Sequence, residues 1–281
     1  MKYLEATVFA IICNIVINYA VSWSSNAKCK CINTKLGFLA DCSGLGLTTV
    51  PWFIDSVISV NLSKKSLTKL PPEGRPPSKL MYVDLSLNMI KNFSTDGALT
   101  FSTTKYLLSL NLSHNRCLLD RDTDLNGTFK NLGKLQHLDV SYNSFGNRSN
   151  YCPYDVFREL QSLQHLHIDA VLNILFGKGF LVLRQLTHLK LTGLASRITI
   201  PNDFFVHLSN LIYLDMSAQW YRQDSLLTGL KHIESGNVRK LARFEILDIS
   251  FNRKIGLCGF TNVTHDLIYL LRQLRFTKLN I

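Results

Sequence analysis

A histidine recurs at one position of a short sequence motif, which is called the phrase below. "LQHLDVSYN", "LQHLHIDAV" and "LTHLKLTGL" each carry it in third place, as His137, His165 and His188. An imidazole changes charge near pH 6.5, acts as a general acid or base, and coordinates metal ions. The recurrence suggests a proton-sensitive or ligand-binding surface, against the plainer interpretation that this slot tolerates histidine. We expect no metal ion at these residues.

The phrase is one copy of a repeat that fills most of the chain. Its pattern is L-x-x-L-x-L-x-x-N-x-L, and the copies begin 23 to 33 residues apart at residues 57, 80, 107, 135, 163, 186, 211, 244 and 276. The alternating leucines predict a short strand whose side chains alternate with a period of two residues. Before many starts stands F-x-x-L-x-x-L, which has the spacing of a helix-like flank.

The repeats must stack, because no single turn of this kind can bury its own leucines. A ninth-position asparagine can satisfy backbone groups where the chain leaves the strand. The repeat asparagines are Asn88, Asn115, Asn143 and Asn252.

The third and fifth residues of each strand face away from the core, and adjacent strands lie about 4.8 Å apart. The three histidines should therefore form a ladder beside a second column. We expect the imidazoles to gain charge between about pH 5 and 7. The candidate ligand face consists of His137, His165, His167, His188, Lys190 and Tyr213.

From Val57 to Ile281 these motifs resemble those of leucine-rich repeat proteins. The resemblance implies an α/β repeat fold, a curved leucine-rich repeat solenoid with a parallel sheet on its concave side. "VDLSLN", "LNLSHN", "LDVSYN", "LDISFN" and "PNDFFVHLSNLIYLDMS", with the irregular repeat lengths, are similar to Toll-like receptor ectodomains. That likeness implies a ligand-binding ectodomain fragment of a pattern-recognition receptor in innate immune signalling. The alternative is a secreted leucine-rich repeat adhesion, matrix or decoy protein without a signalling domain.

The first residues predict export. Residues 1–22 have the pattern of a signal peptide, with the apolar run "VFAIICNIVI" followed by the small residues "AVS". That run is too short to span a bilayer. We expect an extracellular or endosomal-lumenal location, with any membrane attachment through a segment outside this chain.

Residues 23–56 form a predicted cap, and residues 57–281 hold about nine repeats, the last of them cut off. "CKCINTKLGFLADCSGLGLTTVP" resembles the amino-terminal cap of extracellular leucine-rich repeat proteins. The resemblance favours a Cys29–Cys42 disulfide, with Cys31–Cys42 as the alternative. Such a cap keeps the first strand edge from water.

The later cysteines leave the pairing open. Cys117 occupies an inward motif position and either pairs with Cys152 or stays a free thiol in the core. Cys258 has no evident partner.

Six N-x-S/T sequons agree with secretion and predict a glycosylated surface. They are Asn61, Asn92, Asn111, Asn126, Asn147 and Asn262.

The formal net charge is +11. A basic exported protein favours protein or microbial ligands that are anionic, nucleic acid among them, although a soluble basic surface is the plainer interpretation. Receptor dimerisation is a further expectation. The chain has no HExxH, GxSxG, phosphate-loop or dinucleotide motif, so we expect a binding protein without a cofactor rather than an enzyme.

Overall fold

The computed structural model describes residues 29–64, 66–69, 76–91, 101, 103–117, 129–143, 157–169, 180–192, 198–200, 205–217, 230–233, 241, 243–250 and 277–280. The predicted signal peptide lies outside these residues. So do the predicted sites Asn92, Asn126, Asn147, Asn262, Asn252, Cys152 and Cys258.

One eleven-stranded sheet runs through this part of the chain in sequence order. Its strands are β1 (Lys30–Thr34), β2 (Gly37–Asp41), β3 (Val57–Asn61), β4 (Tyr82–Asp84), β5 (Ser109–Asn111), β6 (His137–Asp139), β7 (His165–Asp169), β8 (His188–Thr192), β10 (Tyr213–Asp215), β12 (Ile246–Asp248) and β13 (Lys278–Asn280). The nine predicted repeat starts correspond to the nine strands from β3 to β13 that belong to this sheet. Neighbouring repeat strands pair in parallel, with Leu110 opposite Leu138 and Leu138 opposite Leu166. The stacked parallel repeat is confirmed.

The inward residues form a continuous apolar core, as the motif register predicts. Leu110, Leu138, Leu166, Leu189 and Leu214 are each at most 3% exposed. Because side chains alternate along a strand, the third and fifth motif residues stand on the opposite, outward face.

The cap is a hairpin that continues into the sheet. Strands β1 and β2 are antiparallel, and β2 then pairs in parallel with β3. Cys29 and Cys42 form a disulfide at the base of the hairpin, as the resemblance favoured, and both are buried. Cys31 keeps a free thiol. At Gly37, φ is 148° and a Cβ would lie 2.5 Å from the Ser56 carbonyl oxygen, so the hairpin requires glycine there.

The F-x-x-L-x-x-L flank differs from the helix-like expectation. The backbone N–H of Leu132 donates to the Phe129 carbonyl at 3.2 Å, and that of Leu135 donates to the Leu132 carbonyl at 2.9 Å. These bonds join residues three apart, as in 3₁₀ turns, where side chains three apart line up on one side. The phenylalanine and both leucines therefore reach the core without an α-helix, and no α-helix occurs among the described residues.

The ninth-position asparagines bridge neighbouring turns. Nδ2 of Asn115 donates to the carbonyls of Leu85, Leu112 and Ser113, and its Oδ1 accepts from the Ile90 backbone N–H. Asn88 and Asn143 make equivalent sets. The residue before each asparagine has a positive φ, and these residues are Leu87, His114 and Tyr142.

A second small sheet was not predicted. Strands β9 (Ile198–Ile200) and β11 (Leu230–Ile233) pair in parallel, apart from the main sheet. They fall within the repeats that begin at residues 186 and 211, after the leucine pattern of each repeat has ended and gives no register.

Cys117 has a free, fully buried thiol whose Sγ lies 3.2 Å from the Ile90 carbonyl oxygen. Of the two alternatives left open by the sequence, a Cys117–Cys152 disulfide or a core thiol, the structure has the core thiol. Burial raises the pKa of Cys117 well above its ordinary value, so the thiol stays protonated.

Within the described residues, we find no helix with the length and apolarity needed to cross a bilayer.

Truncation of one core leucine should measure the contribution of the shared core. Leu138→Ala is expected to lower the free energy of unfolding by about 2–5 kcal/mol, because it leaves a cavity between two turns. Lys130→Ala, which changes an exposed residue of the adjacent flank, serves as the control and should stay within about 0.5 kcal/mol. Chemical denaturation of the two variants checks this, and equal losses would contradict the repeat register.

Candidate ligand-binding face

Four rings form a continuous stack across the outward face. The ring centroids lie 4.3 Å apart for His137 and His165, 4.2 Å for His165 and His188, and 5.6 Å for His188 and Tyr213. The parallel register sets these residues opposite one another on β6, β7, β8 and β10. A shallow cavity of about 360 Å³ covers this stack and extends toward β5 as far as Ser109.

The fifth position of most repeat strands closes a small turn. Oδ1 of Asp84 accepts the Ser86 backbone N–H at 2.8 Å, and Oδ1 of Asp139 accepts that of Ser141 at 3.0 Å. The same contact recurs at Asn61, Asn111, Asp215 and Asp248. This bond turns the chain out of the strand, which explains why N/D-x-S recurs in these repeats.

Two neighbouring strands carry a basic residue in this column instead. His167 Nδ1 lies 3.0 Å from Asp139 Oδ2, and Lys190 Nζ lies 3.0 Å from Asp215 Oδ2. The two basic side chains thus pair in opposite directions along the column: His167 on β7 contacts Asp139 on β6, and Lys190 on β8 forms an ion pair with Asp215 on β10.

His167 is held on several sides. Its Nδ1 also lies 3.2 Å from Ser141 Oγ, and its Nε2 is buried without a hydrogen-bond partner in the described part of the chain. The ring meets Tyr142 edge-on at 6.1 Å, and Tyr142 stacks on His114 at 4.1 Å. The sequence analysis missed this second aromatic pair. His114 and Tyr142 are both the eighth residue of their repeats, so the repeat pattern would have placed them side by side, as it did the third residues.

Two histidines of the stack, His165 and His188, resist protonation. Burial, together with the nearby charges of His188 and His137, lowers the pKa of His165 to about 4. The pKa of His188 is also lowered, by burial first and by His137 second. The expected titration between about pH 5 and 7 is therefore wrong for His165, because burial and then the two neighbouring imidazoles disfavour its charged form.

Two other groups of the face have shifted pKa values. Burial alone would raise the pKa of Asp139, but the hydrogen bonds and charge of His167 and the hydrogen bonds of Ser141 outweigh it and lower the pKa. For Tyr213, burial and the negative charges of Asp215 and Asp248 raise the pKa to about 12. At neutral pH the face therefore carries ionised Asp139 and an uncharged phenol.

The outward face is not basic, although the whole chain is. The third and fifth positions of the repeat strands carry four aspartates and two lysines: Asp84, Asp139, Asp215, Asp248, Lys190 and Lys278. Counted over these aspartates and lysines, the described part of this face offers no excess positive charge to an anionic ligand at neutral pH.

Two predicted glycosylation sites, Asn61 and Asn111, lie in the turn-forming column. Each accepts the backbone N–H of the serine that completes its sequon, Ser63 or Ser113, at 3.0 Å. Asp84 and Asp139 make the same contact in neighbouring repeats, so the fold alone accounts for N-x-S at these two places. Their occupancy by a glycan stays a prediction.

Among the described residues, no group of three or more histidine, cysteine or acidic side chains has the geometry to hold a metal ion.

Stacked parallel strands with inward leucines, asparagine bridges after β4, β5 and β6 and a disulfide-bonded cap define a leucine-rich repeat solenoid. A leucine-rich repeat protein of Leptospira interrogans has a similar structure, with a TM-score of 0.54 and 20% identity over 79% of this chain and 49% of that one. The sequence is 30% identical to Toll-like receptor 4 of Bos taurus over 139 residues, which is 49% of this chain and 16% of the receptor. No protein-family model matches the chain. The chain is a leucine-rich repeat protein that resembles part of a Toll-like receptor ectodomain. The fold and the partial likeness to a receptor support a ligand-binding protein.

The stacked histidines should make stability depend on pH in a defined direction. The pKa of His165 is about 4 in the folded state against 6.5 ordinarily, so between these values the unfolded chain binds a proton that the folded chain does not. The free energy of unfolding should therefore fall as pH falls from about 6.5 to 4. His165→Gln should flatten this decline, whereas Tyr82→Gln, which removes an outward ring that is not an imidazole, should not. Urea denaturation at several pH values checks this, and identical profiles for wild type and His165→Gln would contradict it.

Proposed function

We propose that this chain is a ligand-binding segment of a Toll-like pattern-recognition receptor ectodomain, acting in innate immune signalling. The ligand binds along the outward face of strands β5 to β10, on the predicted concave side. The observation that carries the proposal is the uninterrupted stack of four outward rings from His137 to Tyr213.

The rings are not required by the fold. The same third position holds Ser59 on β3 and Ser109 on β5, and those strands pair as regularly as the histidine strands. Stacked, half-exposed rings have flat apolar faces and polar nitrogen edges, the combination that ligand-binding surfaces use. This supports selection for binding rather than for packing.

A secreted leucine-rich repeat binder or decoy without a signalling domain is the second candidate. The Cys29–Cys42 disulfide supports an oxidising compartment for both candidates, extracellular or lumenal. Dimerisation and membrane attachment would distinguish the two candidates, since both are expected of the receptor. Sequencing of the full-length transcript tests this: a membrane span followed by a TIR domain supports the receptor, and a stop codon without either supports the secreted binder.

An anionic ligand, such as nucleic acid, is possible on this face only when the histidines are charged. Protonation would add positive charge along the column, and a bound polyanion would favour that protonation by linkage. Because the pKa of His165 is low, the gain in anion binding occurs at a lower pH than the titration of a free histidine would predict.

Replacement of the three column histidines should remove this effect. Wild-type protein is expected to bind polyuridylate about fivefold more tightly at pH 4.5 than at pH 7.5. His165, with a pKa of about 4, stays largely uncharged at pH 4.5, and two exposed ion pairs of about 0.5 kcal/mol each give that factor. The triple variant His137→Gln, His165→Gln, His188→Gln should lose the pH dependence, and His114→Gln, outside the column, should keep it. Fluorescence anisotropy at two salt concentrations measures the binding, with thermal unfolding at pH 4.5 as a check on folding. The same pH dependence in the triple variant would rule out the column as the anion site.

A further inference from the structure

The ring column has a gap of one strand. The register sets Tyr82 on β4 opposite Ser109 on β5, and Ser109 opposite His137 on β6. Tyr82 is 43% exposed on the outward face, and His137 is the first ring of the stack. A small serine thus stands between two outward aromatic side chains.

The gap has the width of one planar group. Two strand spacings separate the backbones of Tyr82 and His137, which is about 9.6 Å. Ring centroids one strand apart in this column stack at 4.2 to 5.6 Å. A flat group above Ser109 would therefore contact a ring on each side at stacking distance, and the cavity of the outward face extends over Ser109 and Asn111.

The charges beside the gap are negative. Asp84 and Asp139 stand at the fifth positions of the two strands that flank Asn111. Asp84 uses Oδ1 for the turn to Ser86, and its Oδ2 has no partner among the described residues. No lysine or arginine occupies a third or fifth position from β3 to β6, all of which are described.

We propose that the gap above Ser109 binds a planar cation, the guanidinium of an arginine side chain on a protein ligand. Guanidinium stacks on aromatic faces and donates to carboxylates, so it uses both the rings of Tyr82 and His137 and the carboxylate of Asp84. An ammonium group would use only the charge, and a neutral ring would use only the stacking. The inference rests on the proposed function, because it names the chemistry that one end of the same face recognises.

The test uses the 281-residue chain secreted into a bacterial periplasm, where Asn111 receives no glycan. Three probes separate the possible chemistries: N-acetylargininamide is planar and charged, N-acetyllysinamide is charged, and N-acetyltyrosinamide is planar. Binding is followed by NMR shifts of the His137 imidazole and the Tyr82 ring. The arginine probe should bind at least about threefold more tightly than either of the others, the effect of losing one stacking or one ion-pair contact. Equal binding of the three would overturn the proposal.

Four substitutions locate the site. Each introduces a residue type that other repeats carry at the same motif position. Ser109→His fills the gap as His137 and His165 fill their own positions, and should abolish the shifts at Tyr82. Ser59→His adds the same ring outside the gap, between Leu39 and Tyr82, and should leave binding unchanged. Asp84→Asn should weaken binding about threefold and Asn111→Asp should strengthen it by a similar factor. Unchanged binding in Ser109→His, with the protein folded, would contradict the proposal.

One further variant separates this inference from the proposed function. His165→Gln with His188→Gln leaves both walls of the gap in place and removes the centre of the stack. Retained arginine binding in this variant supports an independent site above Ser109. If arginine binding is lost there while Ser109→His keeps it, the site lies on the stack and the inference is wrong, although the proposed ligand face is not.

Discussion

An asparagine carboxamide joins neighbouring turns at the point where the chain leaves the sheet. In Asn115, one side chain donates to three buried carbonyls and accepts one backbone N–H from the adjacent turn. Each of these groups would cost about 1–3 kcal/mol if it were buried without a partner. The residue before the asparagine must adopt a left-handed conformation, as His114 does with φ of 53°. The hydrogen bonds offset that strain and hold consecutive strands in one register.

The register in turn determines what the outward face can do. Because the repeat strands from β3 onward pair in one motif register, third residues meet third residues and fifth residues meet fifth residues. Residues that are 23 to 28 positions apart in the sequence thereby lie side by side on adjacent strands, where they form the ring stack, the charged contacts or the gap above Ser109. The rings of His137 and His165 are in contact only for this reason, and so are the His167 imidazole and the Asp139 carboxylate.

Much of this follows from the sequence because the leucine period is local and repeated. Both the inward face and the outward columns depend only on alternation, so the burial of Leu138 and the outward position of His165 were predictable. The disulfide between Cys29 and Cys42 was favoured only by resemblance, since Cys31 stands two residues from Cys29. The conformation of the F-x-x-L-x-x-L flank was less predictable. A spacing of three residues suits both an α-helical face and successive 3₁₀ turns, so the spacing alone does not distinguish the two conformations.

The features that the sequence did not reveal arise between strands. The His167–Asp139 and Lys190–Asp215 pairs join residues on adjacent strands, and no local pattern marks them. The low pKa of His165 depends on its burial and on two neighbouring imidazoles, so the value for a free histidine was misleading. The net charge of +11 likewise averages over the chain and misrepresents the outward face, where Asp84 and Asp139 flank the gap above Ser109.

Residue-resolved amide hydrogen exchange tests the asparagine bridge most directly. The backbone N–H groups of Leu67, Ile90 and Cys117 lie beyond the strands, yet each donates to the Oδ1 of an asparagine in the next turn, at 3.1 to 3.2 Å. If the asparagines hold the register, these three amides exchange as slowly as that of Leu110 in the middle of β5. Exchange at the rate of an unprotected loop would contradict it, because the strands would then be held in register by something other than the asparagines.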